Sequence, residues 1–323
     1  MLADPCIVKR PLGAEPVRGL RWQEGRLPPA TRQDGLDVFF APAYACPLGL
    51  DVPRVTTVHD MSFFSIPDDF TVLDGVRRRA TVGASIAASR RLLAVSDFTR
   101  REIAGFFPAA GGRVVVTPHG ADDDLLAPPA REDARARLGV RGPMLLTVGT
   151  ILNRRCLPVL FNAVARLRRS WPDVILDVVG ENRTHPNLDL PALARRTGLG
   201  DGARLSGFVG EAGLADRYAA ADAAVVLSEY EGFGLPALEA MARGVPVVTS
   251  TRPALGEIFA EAALLVDPRD APAVADALDR VLRDPALRAD LVARGRALAA
   301  RHSWAACARL TREALEAAAA ERA

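Results

Sequence analysis

The stretch AAVVLSEYEGFGLPALEAMARGVPVVTS, residues 223–250, decides how the rest of this chain is read. AAVVLS is a continuous apolar run, the pattern of a parallel strand buried on both faces. A short acidic, glycine-containing loop follows, SEYEGFG, and then a helix that opens with Leu235 and Pro236 and stops at Gly244. Proline in a helix's first turn and glycine just past its end are ordinary helix punctuation. In open α/β sheets, ligands bind at the carboxyl ends of such strands. The helix start adds unpaired N–H groups and a partial positive charge. Gly232 and Gly234 let the backbone approach a ligand closely. Glu231 in the loop and Glu239 in the helix lie eight residues apart. Two carboxylates would repel a phosphate that they touched, but as charged acceptors they suit hydroxyls on either side of one. A nucleotide sugar has that layout: sugar hydroxyls, a diphosphate, ribose hydroxyls. For two isolated glutamates, a solvated loop residue and an exposed helix residue are the plain alternative.

Outward from this stretch the same rhythm repeats. MLLTVGT, VILDVVG, RLSGFVG, PVVTS and LLVDP read as further strands, and LPVLFNAVARLRRSW, LDLPALARRTG and GLADRYAAA as helices. A long helix is expected from about Ala271, and a last amphipathic helix after Arg301, with Trp304, Cys307, Leu310 and Leu315 near one face. Upstream, LDVFFAP, RVTTVHD, LLAVS and RVVVTP give four more strands, with a helix over Leu73 to Arg91 and another capped at Ser96 and Asp97. Buried strands alternating with helices predict an α/β protein with doubly wound parallel sheets. APPAREDARARLGVRGP, residues 127–143, is Pro- and charge-rich and reads as a hinge. The expected division is a first domain over 1–140, a second over 141–300, and a C-terminal helix over 301–323 that can pack back on the first.

Composition narrows the function. The chain has 323 residues, 41 Lys+Arg against 39 Asp+Glu, and is 49% hydrophobic, which excludes a mainly disordered protein and gives no reason to expect nucleic acid as partner. The four cysteines, Cys6, Cys46, Cys156 and Cys307, lie far apart, so a zinc site or disulfide framework is not expected. No apolar run reaches the roughly 18 residues of a membrane span, and the N-terminus lacks signal-peptide order, so the expected location is cytoplasmic. Arg77, Arg78, Arg79, Arg90 and Arg91 could meet anionic lipid at the inner face of the membrane, but a solvated helix face is the simpler reading. No G-x-S-x-G elbow, P-loop or G-x-G-x-x-G turn occurs.

The motif E-G-F-G-L-P-A-L-E resembles the E-x7-E motif of retaining glycosyltransferases of family 4, which have the GT-B fold. A-M-A-R-G-V-P-V-V is similar to that family's A-x-A-x-G-x-P-V-V. VGTILNRRCLPVLFNAVARL, residues 148–167, resembles the family's strand, glycine turn and basic pair. Gly149 permits a tight exit from the strand, and Arg154 and Arg155 precede a helix and could clamp a diphosphate. The family's usual second basic residue is Lys; here it is Arg155. Phe208 and Val209 fall in the turn where the family contacts the nucleotide base through backbone atoms, although core packing competes as a reading of Phe208. VTTVHDMSFFS resembles the family's V-x-T-x-H-D-L-S. The resemblance implies that His59 faces the donor sugar and acceptor, while Asp60 anchors the loop. His119, in VVVTPHGAD, and Glu257, in TSTRPALGEIFAEAALLVDPRD, are read as structural. The likeness covers about Leu36 to Arg312. Residues 1–35 show no Gly-rich turn after a strand, so the first domain is expected to be short by one or two βα units.

The resemblance implies two Rossmann-like domains facing a cleft. Its reaction is transfer of a hexose from a nucleotide diphosphate sugar to a hydroxyl of a glycan or lipid-linked acceptor, with retention. NRRCLPVL is similar to mannosyltransferase-type members, which points to GDP-mannose. Arg154, Arg155 and the N–H groups near Gly234 and Leu235 would stabilise the leaving diphosphate. Glu231 would orient the sugar, Glu239 the ribose, and His59 the sugar and acceptor. Gly149, Phe208, Val209, Gly232 and Phe233 would line the donor. No resident cofactor or metal is expected, since the arginines supply countercharge and no Asp-x-Asp motif is evident. The shortened first domain leaves a non-catalytic nucleotide-sugar binder or partner subunit as the alternative.

Overall fold

The computed structural model describes residues 20–121 and 129–321. The chain begins with α1 (Leu20–Asp34), β1 (Phe39–Ala41), β2 (Arg54–Val58), α2 (Ser62–Ser65), α3 (Val72–Ala88), β3 (Arg91–Ala94), α4 (Asp97–Phe106) and β4 (Val114–Val116). It continues with α5 (Arg131–Leu138), β5 (Met144–Val148), α6 (Leu157–Leu167), β6 (Ile175–Val179), α7 (Leu190–Arg196), β7 (Ala203–Gly207), α8 (Glu211–Ala220) and β8 (Ala223–Val226). The last elements are α9 (Leu235–Ala242), β9 (Val247–Ser250), α10 (Leu255–Phe259), β10 (Leu264–Val266), α11 (Ala271–Arg283), α12 (Pro285–Ala300) and α13 (Trp304–Ala320). Each apolar run read as a strand forms one. All pairings are parallel, in a four-stranded sheet of order β1-β2-β3-β4 and a six-stranded sheet of order β10-β9-β8-β5-β6-β7.

Side-chain alternation explains why the second sheet is covered on both faces. Leu145, Leu176, Val225 and Val248 join one core with Leu160, Phe161 and Leu278 from α6 and α11. Their neighbours Met144, Leu146, Ala224 and Val247 join another with Ala134, Tyr218, Leu238 and Leu298 from α5, α8, α9 and α12. The strands therefore read as mainly apolar runs. In the first sheet, Val58, Leu92 and Ala94 pack on Val82, Ile86 and Ile103 of α3 and α4. The opposite face, Val55 and Leu93, is covered by Ala314 and Ala318 of α13. The chain's last helix thus completes the core of its first sheet. Ala121 N–H donates to the His302 carbonyl at 3.0 Å where the two ends meet.

Three details differ from the sequence reading. The long helix expected from Ala271 breaks at Asp284, whose carboxylate caps a new helix by accepting from Ala286 and Leu287 N–H groups at 2.9 and 3.0 Å, with Pro285 in its first turn. The helix inside the stretch read as a hinge, α5, is fixed to the second domain at the turn between α8 and β8: Arg131 and Arg135 both pair with Asp222, at 2.6 and 3.3 Å. The hinge reading also covers residues 127 and 128, which lie outside the described residues, as do Cys6 and the start of the segment expected to lack a Gly-rich turn. The arginine clusters have protein partners: Asp74 for Arg77 and Arg78, Glu321 for Arg90 and Arg91.

One charge lies inside the second sheet. Asp177 on β6 is fully buried; it accepts from Ser206 Oγ at 2.5 Å and faces Arg217 Nε at 3.1 Å. Removing the carboxylate strands a guanidinium that is only 13% exposed. Asp177→Ala is expected to lower unfolding free energy by about 3–5 kcal/mol, and Asp177→Asn by less, in denaturant titrations.

Candidate functional site

The order of the second sheet reverses at β5, which has β6 on one side and β8 on the other. The crevice at such a reversal is where open α/β sheets take ligands. The loops leaving β5 and β8 meet there. The Arg154 carbonyl accepts from Glu229 N–H at 2.8 Å and from Ser228 Oγ at 3.2 Å, so the loops are joined through the backbone. Arg155 Nε lies 3.2 Å from Glu231 Oε1, with the side chains 18% and 13% exposed. Gly149 has φ +118°, and a Cβ there would lie 2.3 Å from Arg155 Nη1, which donates to the Val148 carbonyl at 2.9 Å. A side chain at 149 would take the guanidinium's place.

The first domain presses on the same point. A Cβ on Gly232 would fall 1.8 Å from the His59 carbonyl oxygen, so only glycine lets the two turns touch. His59 Nε2 lies 2.8 Å from the Pro42 carbonyl oxygen. Asp60 Oδ1 accepts from the N–H and Oγ of Ser62, while its Oδ2 faces Arg154 Nη2 at 3.7 Å. Burial pushes the Asp69 carboxyl above the usual carboxylate range, and Arg154 beside it opposes that shift. Arg154 therefore meets two first-domain carboxylates and Arg155 a second-domain one. Among the described residues no group of three or more His, Cys, Asp or Glu side chains is placed to hold a metal ion.

The remaining expected residues fall in different surroundings. Phe208 is 90% exposed, so it is not core; it borders a cleft of ≈ 630 Å³ with Ile151, Gly180, Glu181, Asn182 and Leu205. Gly234 caps α9 at φ +106°. Phe233, expected to line the donor, instead turns its ring into the core, 6.4 Å from Phe259, beside the second domain's α9 and α12. Val209 and Leu235 pack partly against the same core. Glu239 accepts from the Tyr218 hydroxyl at 3.0 Å. Tyr230, Glu102, Asp69 and Thr99 also reach the interdomain surface. Their partners are distant in sequence, so no local pattern marks them.

His119, read as structural, stands between the domains. Its ring lies 5.4 Å from His59, 5.2 Å from Phe233 and 5.3 Å from Trp304. Burial, with the nearby His59 charge, lowers its pKa to about 4. The unfolded chain would take up that proton near the ordinary 6.5. Between these values the unfolded state binds more protons, so stability falls as pH drops from about 6.5 towards 4, by on the order of 3 kcal/mol. His119→Phe should flatten that part of the stability curve, as measured by chemical denaturation across the range.

Comparison with known proteins agrees with this geometry. Residues 130–298 match the family described as glycosyl transferases group 1, and residues 7–125 match glycosyltransferase family 4. An O-antigen chain mannosyltransferase B of Escherichia coli is 32% identical over 84% of this chain and 71% of its own length. A D-inositol 3-phosphate glycosyltransferase of Kineococcus radiotolerans is 38% identical over 71% of this chain and 57% of its own length, so the chain spans little more than half of that relative. Among solved structures, sucrose-phosphate synthase from Thermosynechococcus elongatus superposes with TM-score 0.76 at 24% identity, covering 98% of this chain and 87% of that one. HepE of Anabaena, in complex with UDP and glucose, gives TM-score 0.71 at 19% identity, covering 94% and 83%. With two parallel Rossmann-like domains facing across Gly232 and His59, and with both family matches, the chain belongs to the group 1 glycosyltransferases of family 4 and has the GT-B fold.

Proposed function

We propose that this chain transfers a hexose from a nucleoside diphosphate sugar to an acceptor hydroxyl, with retention at the anomeric carbon. The observation that carries this reading is the Arg155–Glu231 pair, 3.2 Å apart at the carboxyl ends of adjacent strands. As the bond to the anomeric carbon breaks, negative charge grows on the diphosphate. Arg154, Arg155 and the N–H groups that open α9 are the groups on hand to stabilise it. A diphosphate can take the place of Glu231 on the Arg155 guanidinium, which leaves the carboxylate to accept from sugar hydroxyls. Glu239 is assigned to the ribose and the Phe208 cleft to the base. His59, at the first domain's edge, is assigned to placing sugar and acceptor.

Mannose from GDP-mannose is the proposed donor, supported by the E. coli mannosyltransferase relative. The acceptor is a glycan or a lipid-linked sugar. Val72 and Leu73, shortly after Asp69 in sequence, are 84% and 81% exposed, and this exposed apolar surface favours the lipid-linked form. Among the described residues no helix is long and apolar enough to cross a membrane. The proposed site of action is cytoplasmic, with peripheral contact at the membrane's inner face.

The test is a donor panel, GDP-mannose, UDP-glucose and UDP-galactose, assayed for transfer to lipid-linked sugars. GDP-mannose is expected to give the highest kcat/KM. Binding of a donor without turnover of any would favour the binding-subunit alternative. Arg155→Ala and Glu231→Gln are each expected to lower kcat/KM by roughly 10²–10³, the loss typical of a charge-stabilising group. Wild-type rates in both would overturn the assignment.

A further inference from the structure

Tyr230 immediately precedes Glu231, yet its side chain leaves the second domain. The ring is 6% exposed and lies edge-on to Phe98 of α4, 5.5 Å between centroids. Its hydroxyl accepts from the Met61 backbone N–H at 2.9 Å and donates to Glu102 Oε2. The other Glu102 oxygen accepts from Ser65 Oγ at 2.8 Å. The phenol thus sits in a socket built by the first domain: the loop after β2, the end of α2 and one face of α4. Burial and the Glu102 carboxylate raise the phenol's pKa, so it stays protonated and remains a donor.

Two other side-chain ties between the domains are weaker by geometry or exposure. The Arg101–Glu257 pair has side chains 46% and 45% exposed and is worth little in water. Thr99 Oγ1 reaches the Gly232 carbonyl only at 3.4 Å. The Tyr230 hydroxyl is shielded from water and joins Met61, two residues past His59, to the residue just ahead of Glu231.

We propose that Tyr230 is a positioning residue whose hydroxyl, seated between Met61 and Glu102, docks the two domains and sets His59 at its working distance from Glu231. This rests on the transfer reading above. Tyr230 acts through those two side chains. Without the hydroxyl, the docked form buries a carboxylate lacking one donor and an N–H lacking its acceptor, so docking is less favoured. Apart from His59, the groups assigned to the donor, in 149–155, 208–209 and 231–239, lie on the second domain and are not altered. The loss should therefore fall on turnover rather than on donor affinity.

The experiment compares Tyr230→Phe, Glu102→Ala and the double variant in the full chain, with GDP-mannose and UDP-glucose as probes. Each single change should lower kcat roughly tenfold, with donor KM within about twofold, and the double variant should be no worse than the poorer single. Glu102→Gln, which keeps an acceptor for the hydroxyl, should retain most of the turnover and covers the case in which Tyr230→Phe does not fold. Losses that multiply in the double variant, wild-type turnover in both singles, or a rise in KM at unchanged kcat would each overturn the proposal. A readout independent of activity separates it from the transfer reading. By small-angle X-ray scattering, both single variants should have a larger radius of gyration than wild type, and the double no larger than either. If wild type turns over neither probe, the transfer reading fails on its own, and equal radii in all four proteins would overturn the docking role.

Discussion

The pairing of β5 with β8 is the constraint on which the cleft depends. The chain leaves β5 towards β6 and β7, then returns on the other side as β8. Adjacent parallel strands point their carboxyl ends the same way, so the loops that follow must share one crevice. The Arg154 carbonyl then accepts from Glu229 N–H and Ser228 Oγ, which locks the loops together before any side chain meets a ligand. Arg155 and Glu231 face each other as a consequence. Gly149 leaves the space that the guanidinium fills.

Charge balance in this crevice follows from burial. An unpaired guanidinium shielded from water is costly. Glu231 offsets Arg155 from within the second domain, and Asp60 and Asp69 offset Arg154 from the first. A diphosphate brings charge of the same sign to the same guanidiniums. The first domain's carboxylates therefore supply part of the electrostatic surroundings that a donor would otherwise supply. The protein's net charge of +2 says nothing of this local arrangement.

The two domains are also bound by the path of the chain. One face of the first sheet would be open at Val55 and Leu93 without Ala314 and Ala318 of α13. That helix follows α12, which packs on the second domain, so a single C-terminal segment serves both cores. Small residues on α13 allow close approach to the sheet, as alanines leave little side-chain volume between helix and strands. His119 and Trp304 stack where this segment crosses, next to His59, which ties the crossing to the cleft.

Sequence alone determined the strands, because a strand buried on both faces is apolar at nearly every position, as in AAVV and, apart from Thr147, MLLTV. It determined the start of α9 through Pro236 and its stop at Gly244, and it marked Gly149, Arg154, Arg155 and Glu231 as individual residues worth attention. The break between α11 and α12 was also written locally, in Asp284–Pro285, where a cap outweighs helical periodicity. Tertiary structure decided the rest: that Arg155 meets Glu231, that Phe233 turns into the core while Phe208 stays exposed, that His119 stands beside His59, and that Tyr230 crosses to Glu102. Periodicity and capping act over a few residues. Contacts between positions distant in sequence depend on which strands pair and how two sheets face each other, and no local pattern carries that information.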